Sequence, residues 1–301
     1  MKTIKIGSRE SALAMAQSKW VISQIKHFYP ELEFEIIGIK TKGDMILNTR
    51  LDAAGGKGLF IKELEQALID KKIDMAVHSM KDIPVDIPDS LVISAVSQRE
   101  DPRDVLITLK RISFNDLQPG TVIGTSSLRR EIQILEKRPD LHVKTLRGNV
   151  LTRIDKLLNQ EYQAIILAAA GLKRLGLEER CEYYFSTEEL IPAIGQGVLA
   201  IETRKNDTLL EYLRSSIHSQ ETALVVAAER AFMIKLNGGC TTPIAAHAII
   251  FGERMKISGL LASKPGSRIF RATQEGNKKD AATLGETLAD KILEMSNGAN
   301  I

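Results

Sequence analysis

Cysteine is nearly absent from this sequence: Cys181 and Cys240 are the only two among 301 residues. They lie far apart and form no CxxC pair, which argues against a disulfide framework or a cysteine-based zinc site and fits a reducing compartment. Aromatic residues make up 5%, with one tryptophan, Trp20, too few for the stacking platform of a single-strand nucleic-acid binder. No run approaches the roughly 18 uninterrupted apolar residues of a membrane span. At the N-terminus, Arg9-Glu10 interrupts the apolar stretch that a signal peptide needs. A cytoplasmic protein is expected, with neither a membrane nor a nucleic acid as partner. An excess of one charge is also lacking, since 41 Lys plus Arg against 38 Asp plus Glu leave a net +3. Anion binding must therefore be local. The five histidines, His27, His78, His142, His218 and His247, show no clustered metal spacing, so no metal site is assigned. No GxxxxGK[ST] loop occurs, and Gly55-Gly56-Lys57-Gly58 lacks the GxGxxG pattern, which disfavours a nucleotide. That stretch reads as a mobile loop.

The length is two to three times that of an ordinary domain of about 100–150 residues. Short apolar runs alternate with helical patterns in βαβ fashion. Thr3–Ile6 reads as a strand, Ser11–Phe28 as a helix, Phe34–Lys40 as a strand, Leu59–Asp70 as a helix and Asp74–Val77 as a strand. Prolines make 83–88 an extended loop. A second series follows the run Leu91–Val96: strands at Val122–Gly124, Val143–Leu146 and Ala164–Ala169, helices at Ser127–Lys137 and Val150–Gln160. The polar segment Gln98–Asp104 and the segment Ile191–Gly197 read as two crossings between lobes. Leu199–Thr203 is placed back in the first lobe. From Glu221 to Leu236 a helix runs into an Asn-Gly-Gly stop. The runs Ile244–Phe251, Met255–Ala262 and Arg268–Gln274 then read as strands, before a last helix at Ala281–Met295. The expected fold is α/β, with two βα lobes and a smaller C-terminal α+β domain. Its boundaries are 1–98 with 198–216, 99–197 and 217–301.

Ser, Thr and Arg concentrate where strands feed helices: Gly7-Ser8-Arg9-Glu10-Ser11, Gly124-Thr125-Ser126-Ser127-Leu128-Arg129-Arg130 and Leu146-Arg147-Gly148-Asn149. In open α/β sheets the ligand crevice lies beyond the carboxyl ends of the strands. Helix N-termini and arginine forks bind anions there. Taken singly, these serines also read as ordinary N-caps. Arginine in a first helical turn opposes the helix dipole, so Arg129 and Arg130 call for an anionic partner. Ten of the eighteen arginines lie between Arg99 and Arg180. A mixed solvated surface would share that count, but Arg129, Arg130, Arg147 and Arg153 follow strand ends. Lys81-Asp82, after His78-Ser79-Met80, reads either as a surface pair or as a cation and a carboxylate at a crevice. Cys240, in Asn237-Gly238-Gly239-Cys240-Thr241-Thr242-Pro243, reads either as an inert thiol or as a nucleophile on an open loop.

The segment from Glu229 to Ala245, which contains that loop, resembles the cofactor-attachment signature of the porphobilinogen deaminase family. Ile6–Ser11, Ala76–Asp82, Gly124–Arg130 and Arg147–Val150 resemble its other motifs, in the same order and over essentially the full chain. The resemblance implies two lobes like those of two-lobed periplasmic solute-binding proteins, and a monomeric transferase of tetrapyrrole (haem) biosynthesis acting on porphobilinogen. It also implies a dipyrromethane cofactor joined to Cys240 by a thioether, on which four porphobilinogen units are deaminated and coupled before hydroxymethylbilane is released. It assigns Asp82 as the catalytic carboxylate, with Lys81, Ser127, Arg129, Arg130, Arg147, Gly148 and Asp82 around the cofactor. Arg9, Ser11, Thr125, Arg147, Arg153 and Arg174 fall to the substrate, and 42–58 to a lid. Two alternatives stay open on residues alone. A non-catalytic two-lobed anion binder would share the arginines without requiring Asp82 or the Cys240 loop. A nucleic-acid binder would need a basic, aromatic-bearing face.

Overall fold

The inner strands of the first two sheets are buried along nearly their whole length, as expected where helices cover both faces. The structure, a computed structural model, describes residues 3–45, 60–237, 243–262 and 268–296. Cys240, the glycine-rich loop and most of the expected lid lie outside these residues. The first lobe opens with β1 (Ile4–Arg9), α1 (Ala12–Phe28), β2 (Phe34–Ile39), α2 (Lys42–Met45), α3 (Lys62–Ile69), β3 (Met75–Ser79) and β4 (Leu91–Val96). The second comprises β5 (Asp104–Thr108), β6 (Val122–Gly124), α4 (Leu128–Lys137), β7 (His142–Lys144), α5 (Val150–Leu158), β8 (Ala164–Ala168), α6 (Ala169–Arg174) and β9 (Tyr183–Tyr184). The chain then returns through β10 (Leu199–Arg204) and α7 (Leu210–Ser216). It ends in α8 (Gln220–Lys235), β11 (Ile244–Phe251), β12 (Arg254–Leu261), β13 (Phe270–Asn277) and α9 (Ala281–Ser296).

The first sheet has the order β2-β1-β3-β10-β4, with β1 parallel to β2 and β3, and β10 antiparallel to β3 and β4. The run at Leu199 thus rejoins the first lobe, as its sequence suggests. Leu199 and Ile201 complete a core with Ile6, Val21, Ile25, Met75 and Val77. The second sheet runs β7-β6-β8-β5-β9. Its β5 grows directly out of the polar crossing, antiparallel to β8. The sequence reading gave this strand no place, because its first residue is a carboxylate. The short elements α6, α7 and β9 carry too few residues to show a period and were likewise not anticipated. Ser11, Ser127, Asn149 and Ser219 each cap the helix that follows, the side-chain oxygen accepting an otherwise unpaired N–H. Ser8 and Ser126 instead donate to the carbonyls of Arg9 and Leu146.

In the C-terminal unit an antiparallel meander β11-β12-β13 buries one face under α8 and α9, through Phe232, Leu288, Met255 and Ile257. Glu229 of α8, wholly buried, ties this unit to both crossings. Its carboxylate accepts two hydrogen bonds from Arg99 at 2.7 and 2.8 Å. It also accepts from the Gly195 N–H at 2.8 Å and the Ala248 N–H at 2.9 Å. Burial alone would raise this carboxyl, but the charge of Arg99 leads the opposing influences, which bring it from 4.5 down to about 2. The two crossings touch each other as well. Gly197 sits at φ +88, and a Cβ there would fall 2.3 Å from the Glu100 carbonyl oxygen, so only glycine fits.

A carboxyl depressed in the folded state adds stability above its ordinary pKa and loses it as the pH falls toward the folded value. Glu229→Gln is therefore expected to lower unfolding free energy at pH 7 by about 3 kcal/mol, the scale of breaking a buried pair. Denaturant titration should show the gap to wild type narrowing between pH 4.5 and about 2.

Candidate functional site

The carboxyl ends of β1 and β3 in the first lobe, and of β6 and the 145–149 connection in the second, carry the side chains that sequence reading singled out. Asp104 organises the second set. Fully buried, it accepts from Arg129 Nη1 at 2.8 Å, Arg130 Nη2 at 2.7 Å and Gln196 Nε2 at 2.9 Å. Burial pushes its carboxyl up, yet the charges of Arg129 and Arg130 outweigh that and hold it far below the carboxylate range. Arg129 also donates to the Ile191 carbonyl and Arg130 to that of Ile166, each at 2.9 Å. The anion that these first-turn arginines require is thus, in part, the protein's own. One donor is left over: the Nε of Arg130 is buried without a partner.

Facing them, β3 ends in a 3-10 turn, Met80–Asp82. Lys81 and Asp82 are half-buried, and among the described residues neither has a hydrogen bond or ion pair. Burial pushes the Lys81 ammonium down to about 8, with the charge of Asp82 opposing and that of Arg130 adding. Arg153, on α5, is lowered to about 10 by burial, then by the charges of Arg130 and Arg147, against the pull of Asp82. Groups from both lobes therefore lie within electrostatic reach of one another. Arg147 is 9% exposed and Arg153 donates from Nε to the Gly148 carbonyl at 2.8 Å. Thr125 and Ser127 stand at the same strand end, the Thr125 hydroxyl accepting from the Ser127 N–H at 3.2 Å.

Other expected site residues are engaged elsewhere. Arg9 forks onto Asp44 of α2 and stacks 4.1 Å over the Phe60 ring. Its two partners thus border the undescribed segment on either side. Ser11 spends its hydroxyl on capping α1. Arg174 donates to the Gly197 carbonyl at 2.9 Å and burial lowers it to about 10. His78 does not join Lys81 and Asp82: its Nε2 lies 3.0 Å from Glu202 Oε2 in the sheet interior. Sequence reading missed Asp104, Gln196 and Glu229. The available signal was a carboxylate opening the apolar run Val105–Ile107, a place where burial demands a cation. The arrangement suits a ligand bearing several carboxylates, with Asp82 as the negative group open to positive charge.

Two family models match the chain: "Porphobilinogen deaminase, dipyromethane cofactor binding domain" over residues 4–212 and "Porphobilinogen deaminase, C-terminal domain" over residues 223–294. A Bacillus subtilis (strain 168) protein named porphobilinogen deaminase is 48% identical, covering 98% of this chain and 96% of its own length. One of the same name from Bacillus pumilus (strain SAFR-032) is 47% identical over 97% and 95%. Among solved structures, the methionine-binding protein MetQ aligns with 76% of this chain and 94% of its own at 15% identity and a TM-score of 0.47.

Because the Lys81 ammonium loses its proton near pH 8 in the free protein, affinity for a polycarboxylate probe should fall as the pH rises through about that value. Lys81→Arg, always charged, should flatten the limb in calorimetric titrations with mellitate. An unchanged limb would remove Lys81 from the anion site.

Proposed function

The chain belongs to the porphobilinogen deaminase family, and from that premise we propose how its residues divide the work. The protein is a transferase with a dipyrromethane cofactor that builds hydroxymethylbilane from porphobilinogen. The observation that carries the assignment of residues is that Lys81 and Arg153 lie beside both Asp82 and Arg130, with Arg147 next to Arg153, while Asp82 has no hydrogen bond or ion pair among the described residues and the Arg130 Nε is buried and unpartnered. Each pyrrole unit brings an acetate and a propionate, so cofactor and growing product are polyanions. The donor set fits such a group: cations outnumber carboxylates, and a guanidinium N–H is left unsatisfied.

Cys240 forms the thioether to the cofactor. Lys81, Ser127, Arg129, Arg130, Arg147 and Gly148 hold cofactor carboxylates. Arg147 also serves substrate, with Arg9, Ser11, Thr125, Arg153 and Arg174; Ser11 and Arg174 do so largely by fixing the backbone around it. When bound, the dipyrromethane supplies the free pyrrole carbon on which units are added. As the substrate C–N bond breaks and ammonia leaves, positive charge develops on the substrate pyrrole. Asp82 stabilises that charge from a turn tied down by the Met80 N–H on the Val198 carbonyl and the Ile83 N–H on the Met80 carbonyl, the kind of preplaced group such a role needs. The arginines orient the reacting rings by their carboxylates. Residues 1–98 with 198–216, 99–197 and 217–301 form the three domains. The protein acts as a monomer in the cytoplasm; the two cysteines, without pairing spacing, support that compartment.

Intact mass under denaturing conditions tests the attachment. Wild type is expected to carry an excess equal to two linked pyrrole units, and Cys240→Ser none; an unmodified wild type, even after incubation with porphobilinogen, would favour a non-catalytic anion binder. Asp82→Ala is expected to keep the wild-type unfolding midpoint and lose turnover by about 100-fold or more, the scale of removing a fixed charge-stabilising group. Near-normal product formation would take Asp82 out of the mechanism.

A further inference from the structure

Arg230 on α8 reaches across to the first lobe and, among the described residues, meets backbone only. Its Nη2 donates to the Pro84 carbonyl at 2.8 Å and the Val85 carbonyl at 3.4 Å, and its Nη1 to the Ile83 carbonyl at 3.3 Å. No carboxylate pairs with it among the described residues, and burial lowers its pKa. A half-buried guanidinium without a counter-ion is costly, so what it holds matters. The segment it holds begins one residue after Asp82. Pro84 and Pro88 have no N–H, and the carbonyls of Ile83, Pro84 and Val85 accept no other backbone hydrogen bond among the described residues.

Asp82 hangs between two attachments. On one side the Met80 N–H donates to the Val198 carbonyl at 2.9 Å, and the Ile83 N–H closes the turn onto Met80 at 3.1 Å. On the other side Arg230 grips the three carbonyls. Val226, one turn earlier on the same helix face, packs into the cluster that buries Met80 and Ile83. α8 therefore fixes the turn both by apolar contact and by directed hydrogen bonds.

We propose that Arg230 is a positioning residue for the reaction: from the C-terminal unit it sets the place of the Asp82 carboxylate relative to the substrate pyrrole. This rests on the reading of Asp82 as the charge-stabilising group. Arg230 touches neither substrate nor cofactor. It acts on the step in which charge develops and not on binding, because the arginines that hold the substrate carboxylates stand on other elements.

The test compares Arg230→Met and Arg230→Lys with wild type, kcat being referred to the fraction of protein carrying the covalent adduct by intact mass. Arg230→Met should lower kcat by about 30- to 100-fold, the scale of a misplacement near 1 Å, with KM within about threefold. Arg230→Lys, which reaches one or two of the carbonyls, should recover at least about threefold of that loss. In an Asp82→Glu background, where the carboxylate is already displaced, Arg230→Met should cost much less than in wild type. An equal loss in both backgrounds, or a change confined to KM, would overturn the proposal. If Arg230→Met does not fold, Arg230→Lys carries the test: kcat down about three- to tenfold at unchanged KM supports it, and wild-type kcat overturns it. Full turnover in Asp82→Ala would be a different failure, that of the Asp82 reading itself.

Discussion

The carboxylate of Glu229 is the point on which the three parts of this protein bear. Arg99 lies on the way out of the first lobe, Gly195 on the way back, and Ala248 on the first strand of the C-terminal unit; all three donate to the same two oxygens. A buried anion with four donors has a narrow set of acceptable geometries, since each lost donor leaves a charge in a low-dielectric setting. The positions of both crossings relative to α8 are therefore coupled. Asp104 repeats the device on a smaller scale, joining the start of β5 to the first turn of α4 and, through Gln196, to the return crossing. The frame of the cleft is thus held by two buried carboxylates, and the ligand-facing cations are built around them.

That economy accounts for the electrostatics of the site. The arginines of α4 are neutralised in part by Asp104, so the cleft is not an unbalanced block of positive charge before any ligand arrives. Among the described residues, the Arg130 Nε has no partner, and Lys81 and Arg153 lie beside Asp82 without an ion pair to it. Such a set of donors suits a polycarboxylate.

Much of the fold was legible because its signals are local. The alternation of apolar and helical runs located both lobes, the Leu199 run was assigned back to the first sheet, and just past the end of α8 Asn237 sits at φ +50, as its Asn-Gly stop implies. The arginines at strand ends were legible for the same reason, since a strand end and a helix start are neighbours in sequence. What escaped was pairing at a distance. Asp104 lies 25 and 26 residues from its arginines, Glu229 lies 130 from Arg99, and Arg230 about as far from the carbonyls it holds. Apart from the apolar run that follows Asp104, nothing in the immediate neighbourhood of these residues marks them, and a polar crossing hides a buried acid among exposed ones. His78, although close in sequence to Lys81 and Asp82, stands apart from them, because strand alternation sends it to Glu202.

The place of β10 in the first sheet has a consequence for biosynthesis. This strand sits between β3 and β4 and is the neighbour of both, while every strand of the second sheet lies within residues 104–184. As the chain leaves the ribosome, the second lobe has all its strands before the first lobe has its own. The first lobe is begun earlier and closed later, and in the interval β3 and β4 each present an unpaired edge to the surrounding solution. The two lobes thus receive their full set of strands in the reverse of the order in which they are begun, and the nascent chain carries its unpaired edges until residue 199 emerges.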